Sequence, residues 1–316
     1  MTDETRTIPQ RAAAAYSRIA FTRADLLALG MSARSISREV RRGHLQHVRR
    51  DRYVLAEANG DIVEAVRIGG RLTCLSQLAL MGVFVHRPRG LHVFVTRGSS
   101  RLRSPKGRHV TLHWNLSSVT PELLHVAPLI DAARHAVRCQ EPRAAVATLD
   151  SLVHHGLLTA SQVDEVFAGL PARLKAVRGL VDGSAESGPE TFVRLILRAI
   201  GALFETQVFI AGVGRVDFVV EGWLIIECDS KEFHEGWQKQ QDDRRRDLAA
   251  ARRGYVTIRP LATDILGDRQ TVQKALREVI EVLGPRFTGD RRSQFSKNGA
   301  RQPSRARYSQ SARDSG

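Results

Sequence analysis

The sequence predicts a multi-domain α/β protein, and three observations carry that expectation. The chain has 316 residues, enough for two or three domains of ordinary size. Its first 55 residues read as helix, Gly turn, helix and two short strands. Residues 187–283 alternate in the order α-β-β-β-α-β-α, with the strands short and apolar.

From the N-terminus, Ala-rich residues 10–20 are expected to be helical. Thr22-Arg23-Ala24-Asp25 opens a helix ending at Gly30, because a Thr with an acid three residues on caps the first turn from both sides. Ser32 caps a second helix, Ala33–Arg42, stopped by Gly43. Strands His44–Val48 and Arg52–Leu55 flank the basic turn Arg49-Arg50-Asp51. This succession predicts a winged helix-turn-helix over residues 1–58. In the second helix Ile36 and Val40 form the core stripe. Arg34, Ser35, Arg38, Arg41 and Arg42 lie off it and are the DNA-contact candidates, since Arg and Ser suit phosphate oxygens and base edges.

A mixed α/β middle domain is expected over 59–181. Val63–Ile68 and Leu72–Met81 read as helices, Leu91–Thr96 and Val110–Trp114 as alternating strands, and Pro128–Arg138, Pro142–His154, Ala160–Ala168 and Pro171–Leu180 as helices. Between Arg87 and Arg108 lie seven Lys or Arg residues and no acid, either a phosphate-contacting stretch or a solvated loop.

After the Gly/Ser-rich linker at 182–188, Ser187 and Glu190 form a capping box for a helix reaching about Leu203. Phe204–Ile210 is a strand. The stretch 214–234 follows, with two apolar runs around Glu221-Gly222, a hairpin signal. Asp217, Glu227 and Asp229 sit inside these runs, and a buried carboxylate costs several kcal/mol unless a cation accompanies it. A two-residue loop at Glu221-Gly222 pairs Asp217 with Ile226 and turns Glu227 to the opposite face. A three-residue loop, Val220–Gly222, puts both acids on one face, and that register is expected. A helix Glu235–Arg253, a strand Tyr255–Arg259 and a helix Asp268–Leu283 complete the domain, set at 182–285. Residues 286–316 carry eight basic and two acidic residues, a net +6, and are expected to be a disordered basic tail.

Asp217, nine residues and then Glu227-Cys228-Asp229 resembles the PD-(D/E)xK nuclease motif. With His234, the helical Asp243-Arg244-Arg245-Arg246 and Gly254-Tyr255, residues 186–283 resemble the very-short-patch-repair (Vsr)-like endonuclease domains common in actinobacteria. Ser230 stands where that family has Gly, and Asp229 where the motif has Lys, with Lys231 two residues later. The N-terminal pattern is similar to the winged helix of AbiEi-type antitoxins, which bind promoter DNA. The resemblance implies a restriction-endonuclease-like αβββαβ domain. It also implies Mg²⁺ or Mn²⁺ on Asp217, Glu227 and Asp229, and roles for Lys231, His234 and Glu190 in catalysis. Asp243 and Arg246 would stand beside them. A carboxylate-bound divalent ion supplies both an activated water and charge compensation for phosphodiester hydrolysis.

A net charge of +15 and a pI near 10.8 favour a polyanionic partner, DNA first, with a toxin-antitoxin-like protein partner as a further expectation. Cys74, Cys139 and Cys228 are odd in number and far apart, showing neither a disulfide framework nor a zinc spacing, and a reducing cytoplasm fits. No apolar run reaches the ~18 residues of a membrane span. The two readings left standing are a metal-dependent DNA endonuclease or nickase and an antitoxin-like transcriptional regulator with an inactive nuclease fold.

Overall fold

The structure, a computed structural model, describes residues 6–115, 122–228 and 237–287. The chain is mixed α/β and divides into two compact units, 1–192 and 193–316.

The first unit opens with α1 (Ile8–Ala15), capped reciprocally by Thr7 and Gln10. A short strand β1 (Ala20–Phe21) leads to α2 (Arg23–Ala28), where Thr22 and Asp25 make the expected capping box. Ser32 caps α3 (Ala33–Arg41). β2 (Leu45–Arg49) and β3 (Arg52–Leu55) form an antiparallel pair, and β1 adds to the other side of β3. Phe21, Leu26, Ile36 and Leu45 close a small core beneath these helices. Ala20, the first residue of β1, lay inside the residues expected to be helical. The helix stops early because Ala20 pairs with Val54 and Phe21 with Tyr53, burying both.

The unit continues with α4 (Gly60–Ile68), β4 (Arg71–Leu72), α5 (Cys74–Leu80), β5 (Leu91–Thr96) and β6 (Val110–Asn115). The sheet order is β4-β5-β6, with β5 and β6 parallel. Parallel neighbours need a long crossover, and here it is the basic stretch after β5. That crossover is tied down: Arg103 N–H donates to Ile68 O, Arg103 Nη1 to Val48 O, Lys106 N–H to Glu64 Oε1, and Arg108 pairs with Asp61. Helices α6 (Leu129–Cys139), α7 (Pro142–His154), α8 (Ala160–Ala168) and α9 (Ala172–Lys175) follow, then a 3₁₀ turn, Ala176–Leu180. One buried cluster joins Ala20 and Val54 to Ile62, Leu72, Leu91 and Val126, so the residues expected as separate N-terminal and middle domains share a core.

Helix α10 (Gly188–Ile200) runs from the first unit into the second. The second unit holds β7 (Phe204–Ile210), β8 (Gly214–Val220), β9 (Leu224–Ile226), α11 (Trp237–Arg252), β10 (Val256–Ile258), α12 (Ala262–Gly267) and α13 (Arg269–Leu283). Its sheet order is β10-β9-β8-β7; β7, β8 and β9 are antiparallel and β9 runs parallel to β10. Ala250 of α11 packs with Val219 and Ile225, which fixes the sheet face that this helix covers. Leu224, Ile225 and Ile226 are all buried, as expected of a strand covered on both faces.

The β8–β9 connection departs from the expected loop by one residue. Glu221 and Gly222 both have positive φ, 49° and 76°, and Trp223 N–H donates to Val220 O, which is a tight two-residue turn. The ladder nevertheless pairs Val220 with Leu224, leaving Trp223 as an extra residue. The connection is therefore odd in count, but it spans Glu221–Trp223 instead of Val220–Gly222. Leu203 holds Glu221 in its left-handed conformation by exchanging two hydrogen bonds, Glu221 N–H to Leu203 O and Leu203 N–H to Glu221 Oε1. Buried Trp223 stacks on Phe287 at 4.6 Å.

Candidate functional site

Register decides the site in the second unit. Phe218 pairs with Ile226, so the next step along the hairpin sets Asp217 opposite Glu227. Side chains alternate along strands, so both acids share a face with Val219 and Ile225, the face covered by α11. Asp217 Oδ2 accepts the Cys228 N–H at 2.8 Å, which holds the end of β9 to β8.

Helix α11 then supplies the cation. Arg246 lies one turn before Ala250, and its Nη2 donates to Glu227 Oε1 at 3.0 Å. The same guanidinium is fixed by Val213 O and Arg215 O. The second cation comes from the neighbouring strand. Ile258 pairs with Ile226, and Glu227 N–H donates to Ile258 O, so Arg259 emerges beside Glu227. Arg259 Nη1 donates to Glu227 Oε2 at 2.8 Å, and its Nη2 donates to Asp247 Oδ1 at 2.9 Å. Both Glu227 oxygens thus accept from arginine.

Burial pushes the Glu227 carboxyl above the ordinary carboxylate range; Arg259 and Arg246 pull it back, and the charge of Asp217 pushes it up again. Burial lowers the Arg259 guanidinium, but the bond to Asp247 and the charges of Glu227, Asp247 and Asp243 more than offset it, leaving it above its ordinary value.

The expected site is therefore assembled in part. Asp217, Glu227 and Arg246 come together, with Asp243 near enough to act on Arg259. Asp229, Lys231 and His234 lie outside the described residues. Glu190, buried in the first unit, has a local role: its Oε2 accepts the Glu186 N–H and its own N–H donates to Ser187 Oγ. The reciprocal bond reaches one residue beyond the Ser187 N–H that a capping box requires. Arg259 and Asp247 were missed as site residues. The signal was available in the strand expected over Tyr255–Arg259, which must lie next to the Glu227 strand if α11 is a crossover; in the structure Arg259 directly follows β10.

In the first unit, Arg34 and Arg41 project from α3, exposed and without an ion pair among the described residues. Arg38 and Arg42 approach Glu39 at 3.5 and 3.6 Å, long contacts on an exposed surface that contribute little. Ser35 is engaged locally, its hydroxyl donating to Ser32 O. A pocket of about 500 Å³ is lined by Arg49, Arg50, Arg52 and Arg71 with Gly98 and Ser99. Burial depresses the Arg49 guanidinium, and so do the like charges of Arg103 and Arg52.

A third grouping arises without any zinc spacing along the sequence. Cys74, His92, His113 and Cys139 place one donor atom each within 4.8 Å of all the others. Among the described residues no helix is long and apolar enough to cross a membrane. No protein-family model matches the chain, and no curated protein matches it significantly.

Proposed function

We propose that the protein is a metal-dependent DNA endonuclease or nickase, with the second unit carrying a PD-(D/E)xK-type site and the first unit binding DNA as a winged helix. The observation that carries this reading is the placement of Asp217 opposite Glu227 on one face, at the junction of β8, β9 and α11. The order of elements and the β10-β9-β8-β7 sheet support a restriction-endonuclease-like fold. The helix pair α2 and α3 followed by the β2–β3 hairpin supports the winged helix.

The donor set fits Mg²⁺ or Mn²⁺ by chemistry, because both metals prefer carboxylate oxygen. Asp217 and Glu227 would hold the ion, joined by Asp229, and it would supply an activated water and a Lewis acid for the phosphate. Arg246 and Arg259 orient Glu227 and offset part of the effect of its burial. The pocket lined by Arg49, Arg50, Arg52 and Arg71, with Asp51 as its one acid, has a positive excess that suits a phosphodiester backbone. Lys231 and His234 remain proposed for charge stabilisation and proton transfer.

A second reading has its own observation. Both Glu227 oxygens are already bonded to arginine, so the charge of this carboxylate is compensated without a metal. That favours a DNA-binding regulator, antitoxin-like and partnered by another protein, in which the nuclease fold is inactive.

Plasmid nicking in Mg²⁺ and in Mn²⁺, wild type beside Asp217→Ala, separates them. The nuclease reading expects nicking that falls at least about a hundredfold in the variant. Equal nicking by both proteins refutes the assigned site. Nicking by neither, with salt-dependent DNA binding retained, selects the regulator.

A further inference from the structure

We propose that Cys74, His92, His113 and Cys139 bind one zinc ion in a structural, four-ligand tetrahedral site within the first unit. This inference is independent of the DNA-cleavage reading, because it concerns a different unit and a different class of donor.

The fold brings the four residues together from four elements. Cys74 begins α5 and Cys139 ends α6. His92 lies on β5 and His113 on β6; in their parallel register His113 pairs with Phe94, two residues beyond His92, so both imidazoles stand on one sheet face. His92 Nδ1 is 3.1 Å from His113 Nε2, and His113 Nε2 is 3.9 Å from Cys139 Sγ. With Zn–N near 2.05 Å and Zn–S near 2.3 Å, the edges of a tetrahedron are about 3.3 Å for N–N, about 3.6 Å for S–N and about 3.8 Å for S–S. These two separations match their edges to within a few tenths of an ångström, and the remaining donor pairs lie within 4.8 Å.

Donor chemistry selects the ion. Two thiolates with two imidazoles prefer zinc among abundant divalent metals, and four protein ligands leave no open position for catalysis. A two-iron cluster would divide the cysteines from the histidines, one pair on each iron. Here all four donor atoms lie within 4.8 Å of one another, which suits a single ion. Two thiolates also neutralise Zn²⁺, so the filled site carries no net charge into the core. Cys74, His92 and His113 are buried, whereas Cys139 is exposed and gives the ion a route in.

The surroundings hold the ligands in place. Thr73, just before Cys74, bonds His135 Nδ1 through its hydroxyl at 2.9 Å, and the His135 ring stacks on His113 at 4.4 Å. Thr73 N–H donates to His92 O, and His92 N–H donates to Ser76 Oγ. These bonds fix the backbone that carries Cys74 and His92, and the stack sets the plane of the His113 ring. The ion would tie both helices to the sheet, in a region whose largest crossover has no regular structure.

The test is made on the purified full-length chain. Elemental analysis is expected to find about one zinc per chain. Exchange into Co²⁺ should give tetrahedral d–d bands in the visible and thiolate-to-cobalt charge transfer in the near ultraviolet. Cys139→Ser, at the exposed corner and so the variant best placed to fold, should weaken zinc retention at least about tenfold and lower the charge-transfer band by about half or more, since Cys74 is then the one thiolate left in the site. Asp217→Ala should leave both signals intact. Absence of the charge-transfer band in wild type overturns the proposal. So does zinc retained equally by Cys139→Ser, or a Cys74–Cys139 disulfide in the chain purified under reducing conditions. If the band survives while plasmid nicking fails, the zinc site stands and the nuclease reading alone falls.

Discussion

Replacing Arg259 by Met removes one of two guanidiniums from Glu227 while keeping most of the apolar stem. Glu227 is 15% exposed and Arg259 26%. Breaking a fully buried pair costs about 3–5 kcal/mol and an exposed one about 0–1 kcal/mol. Arg246 remains on the other oxygen. These limits place the cost of Arg259→Met at about 1–3 kcal/mol near neutral pH. The pH dependence has a definite sign. The folded pKa of Glu227 is raised, so the folded state holds its proton more tightly than the unfolded chain. That contribution to stability is present below the unfolded value, about 4.3, and is lost as pH rises through the folded one. Without Arg259 the folded value moves higher and the window extends upward. Arg259→Met should therefore lose more stability at pH 8 than at pH 5. The assay is denaturant unfolding followed by fluorescence in a Trp114→Phe background, since the remaining Trp223 and Trp237 both belong to the second unit. A double-mutant cycle with Glu227→Gln isolates the pair. Equal losses at both pH values, or the same loss with Glu227→Gln present, would refute the assignment of the charge pair.

The turn and the DNA face give two more expectations. Gly222→Ala forces a Cβ into a φ of 76°, so the denaturation midpoint should fall by an amount equivalent to about 1–2 kcal/mol; no change would mean the turn is not conformationally demanding. Arg34→Ala and Arg41→Ala should each lower the slope of log K against log salt for DNA binding by about 1. Fluorescence anisotropy across a salt series measures this, and unchanged slopes would remove α3 from the interface.

Much of the chain was legible because its signals are local. Thr22 with Asp25, and Ser32, fix helix starts within one turn, and each cap forms as read. The strand at 91–96 was read from alternation over a few residues, and 204–210 was likewise expected as a strand. The odd hairpin was readable in parity, since only an odd count shelters Asp217 and Glu227 together. Its position was not. Leu203 stabilises positive φ at Glu221 from 18 residues away, and Trp223 becomes the extra residue.

The need for a cation near Glu227 was also written in the sequence, through the cost of burying a carboxylate. Which cation answers it was decided by tertiary structure: α11 crosses from β9 to β10 and so delivers Arg246 and Arg259 to the same two oxygens. The Cys/His cluster was invisible in one dimension. His92 and His113 are 21 residues apart, and His113 and Cys139 are 26 apart, so no short ligand spacing exists to be read. Capping and periodicity act over one or two turns of chain, and the sequence sets them alone. Donor atoms separated by whole elements meet only when a parallel strand pair and two helices have packed, and that is a property of the fold.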